Sequence, residues 1–355
     1  MKRLVYPLTY DNREMLYFYD DLKKECSTVF GVRSNDDIIL RYHKRNDEIP
    51  VVNYRDKNEF EKAVSQADVI VLVEGAKISE YNDVLCLAEG KEKRIQATHR
   101  VIDLLKDENL DQIEMLRKKK KLEDMDEDEL YPIHVPVIAV MGLGSYCDKF
   151  TNELYLGAFF KHKGYRVLQY GTKDIAELFG FEQLPPVIFD SCIPITKRIL
   201  MLNHSVAREC AEQEADVIIV GVHDGIMPIN HAILNNFGEN AFVETNALSA
   251  DYAVVGIYYS EEIDSEFMQY INHMVSYKLN TEVAGYCISN TFMEIAPESR
   301  GRKTRYYHLD TMDDFHPHDL SSEEFYLYHV NSDDYMSEMA ERIYGFLCNN
   351  IESVF

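Results

Sequence analysis

The stretch from Val137 to Lys149 constrains the fold of this chain more than any other. The apolar run Val135–Met141 predicts a buried strand, and the segment that begins at Lys149 places apolar residues at helical spacing. A glycine-bearing turn, Gly142–Asp148, lies between them. Strand, glycine-rich turn and helix form the setting of a phosphate-binding loop, because the backbone points N–H groups at an anion and the lysine adds a positive charge.

The loop departs from the standard pattern G-x-x-x-x-G-K-S/T. Gly142 and Lys149 are one residue too far apart for it. Asp148 stands where glycine is usual, and Phe150 replaces the hydroxyl residue that binds magnesium. An aspartate beside a phosphate is repulsive unless a cation lies between them. An ordinary strand–turn–helix of an α/β domain would look much the same, so phosphate binding and a plain structural turn both stay open, and hydrolysis has less support than binding.

The same residues resemble a group of P-loop proteins with the loop pattern G-T-S-S-x-x-G-K-F, followed by G-Y-x-V-x-Q-x-G-T and then L-F-G. The matching segments here are Gly142–Phe150, Gly164–Thr172 and Leu178–Gly180. Phe150 fits that pattern, whereas Asp148 departs from it, which argues against rapid nucleotide turnover. The resemblance covers the region near residues 137–185.

This resemblance implies a P-loop NTPase-like domain that uses ATP or GTP with Mg2+. Carried over residue by residue, it implies a set of cofactor-binding residues: Gly142, Gly144, Ser145, Lys149 and Thr172. Over its full length the chain also resembles a clostridial family of peptide maturation proteins, encoded in gene clusters for ribosomally made, bacteriocin-like peptides. That second resemblance implies an accessory role in maturation, with a precursor peptide or a peptide-modifying enzyme as partner. The alternative is a catalytically silent scaffold or peptide-binding protein.

Charge patterning divides the chain into two α/β domains. Residues 1–116 alternate strands and helices, with Val69–Val73 as a central parallel strand, and predict a small Rossmann-like domain. No G-x-G-x-x-G pattern supports dinucleotide binding there. Residues 117–133 contain five basic residues and then six acids, which is typical of a linker. Residues 134–355 predict a P-loop NTPase-like parallel sheet with helices on both faces.

Three expectations about individual elements can be tested against the fold. Residues 83–105 are expected to be mostly helix, either continuous or interrupted at Gly90, while Val187–Phe189 reads as a strand and Ile38–Tyr42 reads as another. Glu74 and Gly75 end the strongest strand of the first domain, where α/β sheets usually bind ligands. A turn with solvated acids is the alternative there.

A second group of polar residues follows the apolar strand Asp216–Val222. In P-loop folds the strand beside the loop often ends in an acid that meets magnesium or water, so Asp224 is a candidate catalytic residue. His223 is a second, as a proton acceptor. The alternative is an Asp-Gly turn preceded by an ordinary histidine. Three residues are weaker candidates for the same cleft: Asp190, Glu244 and Asn246.

Composition restricts the remaining choices. The formal charge of −24 argues against a nucleic-acid partner, and no apolar run has the roughly 20 residues of a membrane span. The N-terminus lacks the apolar core of a signal peptide, so we expect a cytoplasmic protein. The seven cysteines show no C-x-x-C pair, which predicts reduced thiols. Cys147 is the one whose place near a helix start could lower its pKa, but an inert thiol is the alternative that we favour. His316 and His318 flank a proline in a rigid turn, and we predict no metal site.

The sequence therefore leaves the enzyme question open. If the protein is an enzyme, we expect a slow, nucleotide-dependent one. The oligomeric state and the peptide substrate are not specified by any feature of the chain.

Overall fold

The computed structural model describes residues 1–33, 49–105, 112–117, 128–231, 233–260, 263–295, 304–309, 325–330 and 332–352. The chain forms two compact units. The first unit comprises Met1–Lys119 and Lys173–Glu182, and the second comprises Lys120–Thr172 and Gln183–Phe355. Residues 173–182, which the sequence analysis placed in the second domain, therefore group with the first. Most of the predicted linker, residues 118–127, lies outside the described residues, and its role as the domain boundary stays a prediction.

Within the described residues, the first unit contains a six-stranded sheet in which each neighbouring pair is parallel. Its strands are β1 (Lys2–Leu8), β2 (Ser27–Val32), β3 (Val51–Asn53), β4 (Val69–Leu72), β5 (Arg94–Ala97) and β6 (Ile113–Met115). They lie in the order β3-β2-β1-β4-β5-β6, which is the doubly wound Rossmann-like order. The α-helices described here are α1 (Glu14–Tyr17), α2 (Tyr19–Glu25), α3 (Lys57–Gln66), α4 (Ile78–Glu89) and α5 (His99–Leu104).

Helices cover both faces of this sheet. Leu4 and Tyr6 of β1 belong to a buried cluster that also contains Phe60 of α3 and Val84 of α4. On the opposite face, the Tyr19 ring of α2 contacts Phe30 of β2 with centroids 5.9 Å apart. Alternate residues of each strand thus pack against different helices, as a sheet buried on both sides requires.

The second unit contains a mainly parallel sheet. Within the described residues its strands are β7 (Val137–Gly142), β8 (Val167–Tyr170), β9 (Val217–Gly221), β10 (Tyr252–Tyr259), β11 (Glu282–Ile295), β12 (Thr304–His308) and β13 (Leu327–His329). The order is β12-β11-β10-β7-β9-β8, with β13 beside β11, and β12 is antiparallel. The helices described are α6 (Lys149–His162), α7 (Ile195–Glu212), α8 (Glu239–Leu248), α9 (Ser265–His273) and α10 (Asp333–Glu352).

Strand β7 is central and is buried on both faces. Met141 packs in one cluster with Leu202 of α7, while Ile138 packs in another with Leu156 of α6. Strand β9 lies directly beside β7, so the loop after β7 and the loop after β9 emerge at the same sheet edge. The predicted fold class is confirmed in its architecture: the chain is α/β, with two mainly parallel, Rossmann-like sheets that each carry helices on both faces.

One element prediction was incomplete and another was wrong. The segment 83–105 is mostly helix, but β5 at Arg94–Ala97 separates α4 from α5 and was not predicted. Strand β5 has only four residues that alternate between more exposed and buried positions, and the neighbouring charged residues make this short pattern hard to recognise in the sequence. Val187–Phe189 is part of a 3-10 helix rather than a strand, since Pro186 starts a tight turn. The predicted strand Ile38–Tyr42 lies outside the described residues. Among the residues that the structure describes, none of the helices combines the length and apolar character that crossing a bilayer requires.

Candidate anion-binding site

The turn between β7 and α6 is a tight loop whose backbone fits the glycine-rich pattern. Asp148 precedes α6 with φ 51° and ψ 28°, in the left-handed region where glycine is usual. Aspartate is among the few other residues that adopt this conformation readily, so the backbone geometry survives the substitution. Its buried carboxylate accepts a hydrogen bond from the Asn290 backbone N–H at 3.0 Å. This hydrogen bond from Asn290 stabilises the negative charge of Asp148, which the sequence places beside Lys149.

Lys149 connects the loop to the end of β9. Its Nζ donates to the Val222 carbonyl at 2.9 Å and to the Asp224 carbonyl at 2.7 Å. Burial lowers the pKa of this ammonium, while the nearby carboxylates of Glu153 and Glu244 oppose that shift. The cation is therefore held by uncharged oxygens with carboxylates close by.

Neighbouring elements pack closely against the loop. A Cβ on Gly144 would lie 2.6 Å from the hydroxyl of Tyr258, and that hydroxyl donates to the Ser145 carbonyl at 2.8 Å. A Cβ on Gly256 of β10 would lie 2.2 Å from the Cys147 carbonyl oxygen. Real Cβ contacts do not come this close, so the loop conformation depends on glycine on both sides of the contact. Gly142 is less constrained, because its Cβ would lie 3.0 Å from the Cys147 Cβ and 3.2 Å from the Lys149 side chain.

Cys147 is not an activated thiol. Its side chain is buried, and burial raises its pKa to about 11. This supports the inert alternative over an activated thiol, because desolvation outweighs the favourable effect of the Lys149 charge. The thiolate is the reactive form, so Cys147 serves packing rather than chemistry.

A buried glutamate that the sequence analysis missed lies one helical turn after the lysine. Glu153 has no exposed surface, and its two carboxylate oxygens accept from the Thr172 hydroxyl at 2.6 Å and the Thr172 backbone N–H at 3.0 Å. Burial raises its pKa to about 7, against the lowering effect of these hydrogen bonds and of the Lys149 and His223 charges. Thr172, predicted to bind a cofactor, therefore has its hydroxyl engaged by a carboxylate of the loop's own helix.

The two predicted catalytic residues lie at the end of β9, next to Lys149. His223 donates its backbone N–H to one oxygen of Glu244 at 3.0 Å, and its Nδ1 lies 3.1 Å from the other. Glu244 is fully buried on α8. Asp224 is exposed, has φ 58°, and accepts from Asn240 Nδ2 at 2.7 Å. The Lys149 contact is made by its carbonyl, not its carboxylate.

The structure thus brings the predicted residues to one edge of the second sheet: Gly142, Gly144, Ser145, Lys149, Thr172, His223 and Asp224. Glu244, a weaker candidate, orients His223. The other two weaker candidates have structural roles, since Asp190 accepts from the Cys192 N–H at 2.9 Å and Asn246 donates to the Phe242 carbonyl at 2.9 Å. Among the described side chains, no group of three or more His, Cys, Asp or Glu could hold a metal ion, and His316 and His318 lie outside that part of the chain.

Two sequence signals could have identified the missed residues. Glu153 lies four positions after Lys149, on the same helical face, between the apolar residues Phe150 and Leu154. Asn240 has the same spacing from Glu244, which was only a weaker candidate, and both lie on α8, a helix that was not predicted. Recognising this helix would have placed both side chains on one face toward the end of β9.

Comparisons with known proteins are consistent with this fold. A DUF1611 family protein from Anabaena variabilis has a TM-score of 0.53 at 11% identity, over 81% of this chain and 87% of that one. At that identity the similarity shows a shared fold and no more. No protein-family model and no curated protein matches the chain.

Two further solved structures align over shorter regions. Cobyrinic acid a,c-diamide synthase from Mycobacterium smegmatis, with a bound ATP analogue and magnesium, has a TM-score of 0.28 at 13% identity over 43% of this chain and 74% of that one. The kinase domain of the Escherichia coli tyrosine kinase ETK has a TM-score of 0.29 at 11% identity over 46% and 69%. Scores at this level carry no argument about this protein.

Proposed function

We propose that the chain binds the phosphate groups of a nucleotide, ATP or GTP, at the loop of residues 142–149. The observation that carries this proposal is the position of Lys149 Nζ, 2.9 and 2.7 Å from two backbone carbonyls at the end of β9. Two carbonyls hold the ammonium in place without neutralising it, and an ammonium has a third N–H to offer. The start of the 14-residue helix α6 adds a partial positive charge at the same place.

The residues fit a phosphate better than they fit magnesium. Phe150, at the position of the usual magnesium-binding hydroxyl, is almost fully buried. Thr151 is the next residue and lies about 100° further around the helix. We therefore assign no magnesium-dependent step, and we expect turnover to be slow or absent.

His223 is the group best placed to accept a proton. Because Glu244 accepts from the backbone N–H of His223 and lies beside Nδ1, it favours the tautomer that carries its proton on Nδ1. The Nε2 atom is then the basic nitrogen. This arrangement supports a role for His223 as a general base and for Glu244 as its positioning residue.

The biological role rests on the family resemblance. We propose that the protein is a cytoplasmic accessory factor in maturation of a ribosomally synthesised, bacteriocin-like peptide, with the precursor peptide or its modifying enzyme as partner. The charge of −24 is compatible with a basic partner. A silent scaffold or peptide-binding protein is the second candidate, and the buried Phe150 favours it over a fast NTPase.

Thermal unfolding tests the binding site directly. The full chain is heated with ATP, GTP or pyrophosphate, with and without magnesium. A ligand at 100 times its dissociation constant should stabilise the fold by about 2.7 kcal/mol. Lys149→Ala should remove this effect, whereas Lys161→Ala, on the last turn of the same helix, should retain it. An unchanged ligand effect in Lys149→Ala would place the ligand elsewhere.

The peptide role needs a separate measurement. Fluorescence titration with the precursor peptide encoded beside the gene, at low and moderate salt, separates charge from specific recognition. Charge attraction acts over roughly 8 Å at physiological ionic strength, so binding by charge alone should vanish at moderate salt. Failure to bind at either salt, with or without nucleotide, would rule out the peptide-binding role.

A further inference from the structure

One segment links the candidate site to the first unit through the chain itself. The chain leaves the second unit after Thr172, contributes Lys173–Glu182 to the first, and returns at Gln183. We call residues 173–182 the strap. A 3-10 helix, Asp174–Phe179, forms most of it. The residue immediately before the strap, Thr172, binds Glu153 through its hydroxyl and its backbone N–H.

Two carboxylates hold the strap at the carboxyl ends of β4 and β5. Asp174 accepts from the Glu74 backbone N–H at 3.0 Å and from the Thr98 hydroxyl. Glu177 accepts from the His99 backbone N–H at 3.2 Å and lies 2.7 Å from His99 Nδ1. These are the groups that would face a ligand in a Rossmann-like sheet. The strap satisfies them with the protein's own acids.

The strap is further fixed at both ends. Lys173 Nζ lies 2.7 Å from Glu14 Oε1, and Arg117 Nη1 lies 3.0 Å from Glu182 Oε1. Ile175 and Leu178 are buried. Full release of such a segment would expose apolar surface, so we consider a loosening of its hydrogen bonds rather than displacement.

The Glu153–Thr172 contact, just before the strap, lies next to the lysine that would bind the proposed phosphate. Glu153 is completely buried, and Lys149, four residues earlier on α6, supplies a positive charge that favours its ionised form. A phosphate bound to Lys149 would offset that charge. A protonated Glu153 carries a hydroxyl in place of one carboxylate oxygen, and this hydroxyl is a weaker acceptor, so the pair of hydrogen bonds from Thr172 weakens.

We propose that the strap responds to the ligand: an anion bound by Lys149 weakens the Glu153–Thr172 hydrogen bonds and loosens the strap's contacts with Glu74, Thr98 and His99. This inference rests on the proposed function for its ligand. The ligand acts first on the two hydrogen bonds between Glu153 and Thr172. The effect then reaches the hydrogen bonds that the Asp174 and Glu177 carboxylates accept. A ligand can loosen the strap only if it binds the loosened state more favourably than the state with the hydrogen bonds intact. The charge on Lys149, which interacts with both the anion and Glu153, provides that difference.

Hydrogen–deuterium exchange of the full chain tests this proposal. Saturating pyrophosphate should accelerate amide exchange of residues 174–181 several-fold, while exchange in α3 stays constant as an internal reference. Lys149→Ala should abolish the acceleration. Glu153→Gln should show fast strap exchange without ligand and no further change with it. Thr98→Val, which removes a hydroxyl that donates to Asp174, is the positive control for loosening.

The outcomes separate the two proposals. Pyrophosphate that raises thermal stability but leaves strap exchange unchanged would overturn the strap proposal and leave phosphate binding intact. If pyrophosphate has no effect on stability, the binding proposal fails, and Glu153→Gln alone decides the strap: unchanged exchange overturns it, and faster exchange supports the link. Thr172→Val, which loses only the hydroxyl bond, gives the same comparison should Glu153→Gln not fold.

Discussion

The carboxyl edges of the two sheets differ in the polar groups that lie there and in the charge of their hydrogen-bond partners. In the first unit, backbone donors after β4 and β5 bind Asp174 and Glu177 of the same chain. In the second unit, the groups after β7 and β9 are a lysine and the carbonyls that hold it. One edge is supplied with negative charge by the protein, and the other carries a positive charge without a carboxylate hydrogen-bonded to it among the described residues. This difference identifies the second edge as the place for an anion.

Sheet topology alone would not have made this distinction. Both sheets are parallel around their centres, and Glu74-Gly75 looked like a ligand position at the end of the strongest strand of the first unit. The backbone N–H of Glu74 instead donates to Asp174 at 3.0 Å. A sheet edge can bind a ligand when its polar groups are free to exchange their hydrogen-bond partners. In the first unit the strap carboxylates already bind the backbone donors of that edge.

The largest expected effect on stability and anion binding comes from adding a side chain at Gly256, which packs against the 142–149 loop of the second unit. Gly256→Ala should destabilise the protein by about 3 kcal/mol and abolish the pyrophosphate effect, because its Cβ would lie 2.2 Å from the Cys147 carbonyl. Gly345→Ala in α10 is the matched control, since a Cβ there meets nothing within 4 Å. Chemical denaturation with and without pyrophosphate measures both quantities. A Gly256→Ala protein that still responds to pyrophosphate would show that the loop conformation is not needed.

The next effect should come from the first unit and should not abolish anion binding. Asp174→Ala removes the acceptor for the Glu74 N–H and the Thr98 hydroxyl, and buried donors without partners cost about 2 kcal/mol. Asp174→Asn should cost less, because burial already raises the pKa of Asp174 to about 6 and the neutral side chain still accepts one bond. Urea denaturation checks the stability order. Loss of the pyrophosphate response in Asp174→Ala would contradict the separation of the two edges.

The sequence predicted the fold better than it predicted these hydrogen bonds. Continuous apolar runs such as Val69–Val73 and Asp216–Val222 marked the central strands, because strands buried on both faces need apolar residues throughout. Short peripheral elements failed, as β5 shows, since four residues flanked by charges carry little periodicity. Glu153 was missed for a different reason: its importance comes from Thr172, which lies 19 positions away and meets it only in the folded chain.

A smaller effect concerns how stability depends on pH. The pKa of Glu153 is raised to about 7 from its ordinary value of 4.5, so the folded state binds this proton more tightly than the unfolded state does. Its contribution is fully favourable below about pH 4.5 and is lost as pH rises toward 7. Glu153→Gln should therefore lose about 2 kcal/mol less stability than the wild type between pH 5 and 8. Parallel pH profiles of the two proteins, measured by urea denaturation, would be inconsistent with a buried, titrating Glu153.

The smallest effect is expected at Asp224, and it distinguishes an anion site from a magnesium site. The Asp224 carboxylate is exposed and accepts from Asn240, while the carbonyl of the same residue holds Lys149. Asp224→Asn keeps that carbonyl, and asparagine tolerates the left-handed φ of 58°. We expect a stability change below about 0.5 kcal/mol. We also expect a slight increase in affinity for ATP without magnesium, because one negative charge beside the anion is gone.

A magnesium role for Asp224 predicts the reverse dependence. If its carboxylate met the metal, Asp224→Asn would weaken binding of ATP with magnesium while leaving binding without magnesium unchanged. Calorimetric titration of the wild type and Asp224→Asn under both conditions gives four affinities that decide the matter. Asn240→Ala is the matched control, because it removes the carboxylate's hydrogen-bond donor and leaves its charge. A magnesium-specific loss in Asp224→Asn, absent in Asn240→Ala, would restore the catalytic assignment and with it the enzyme interpretation of this loop.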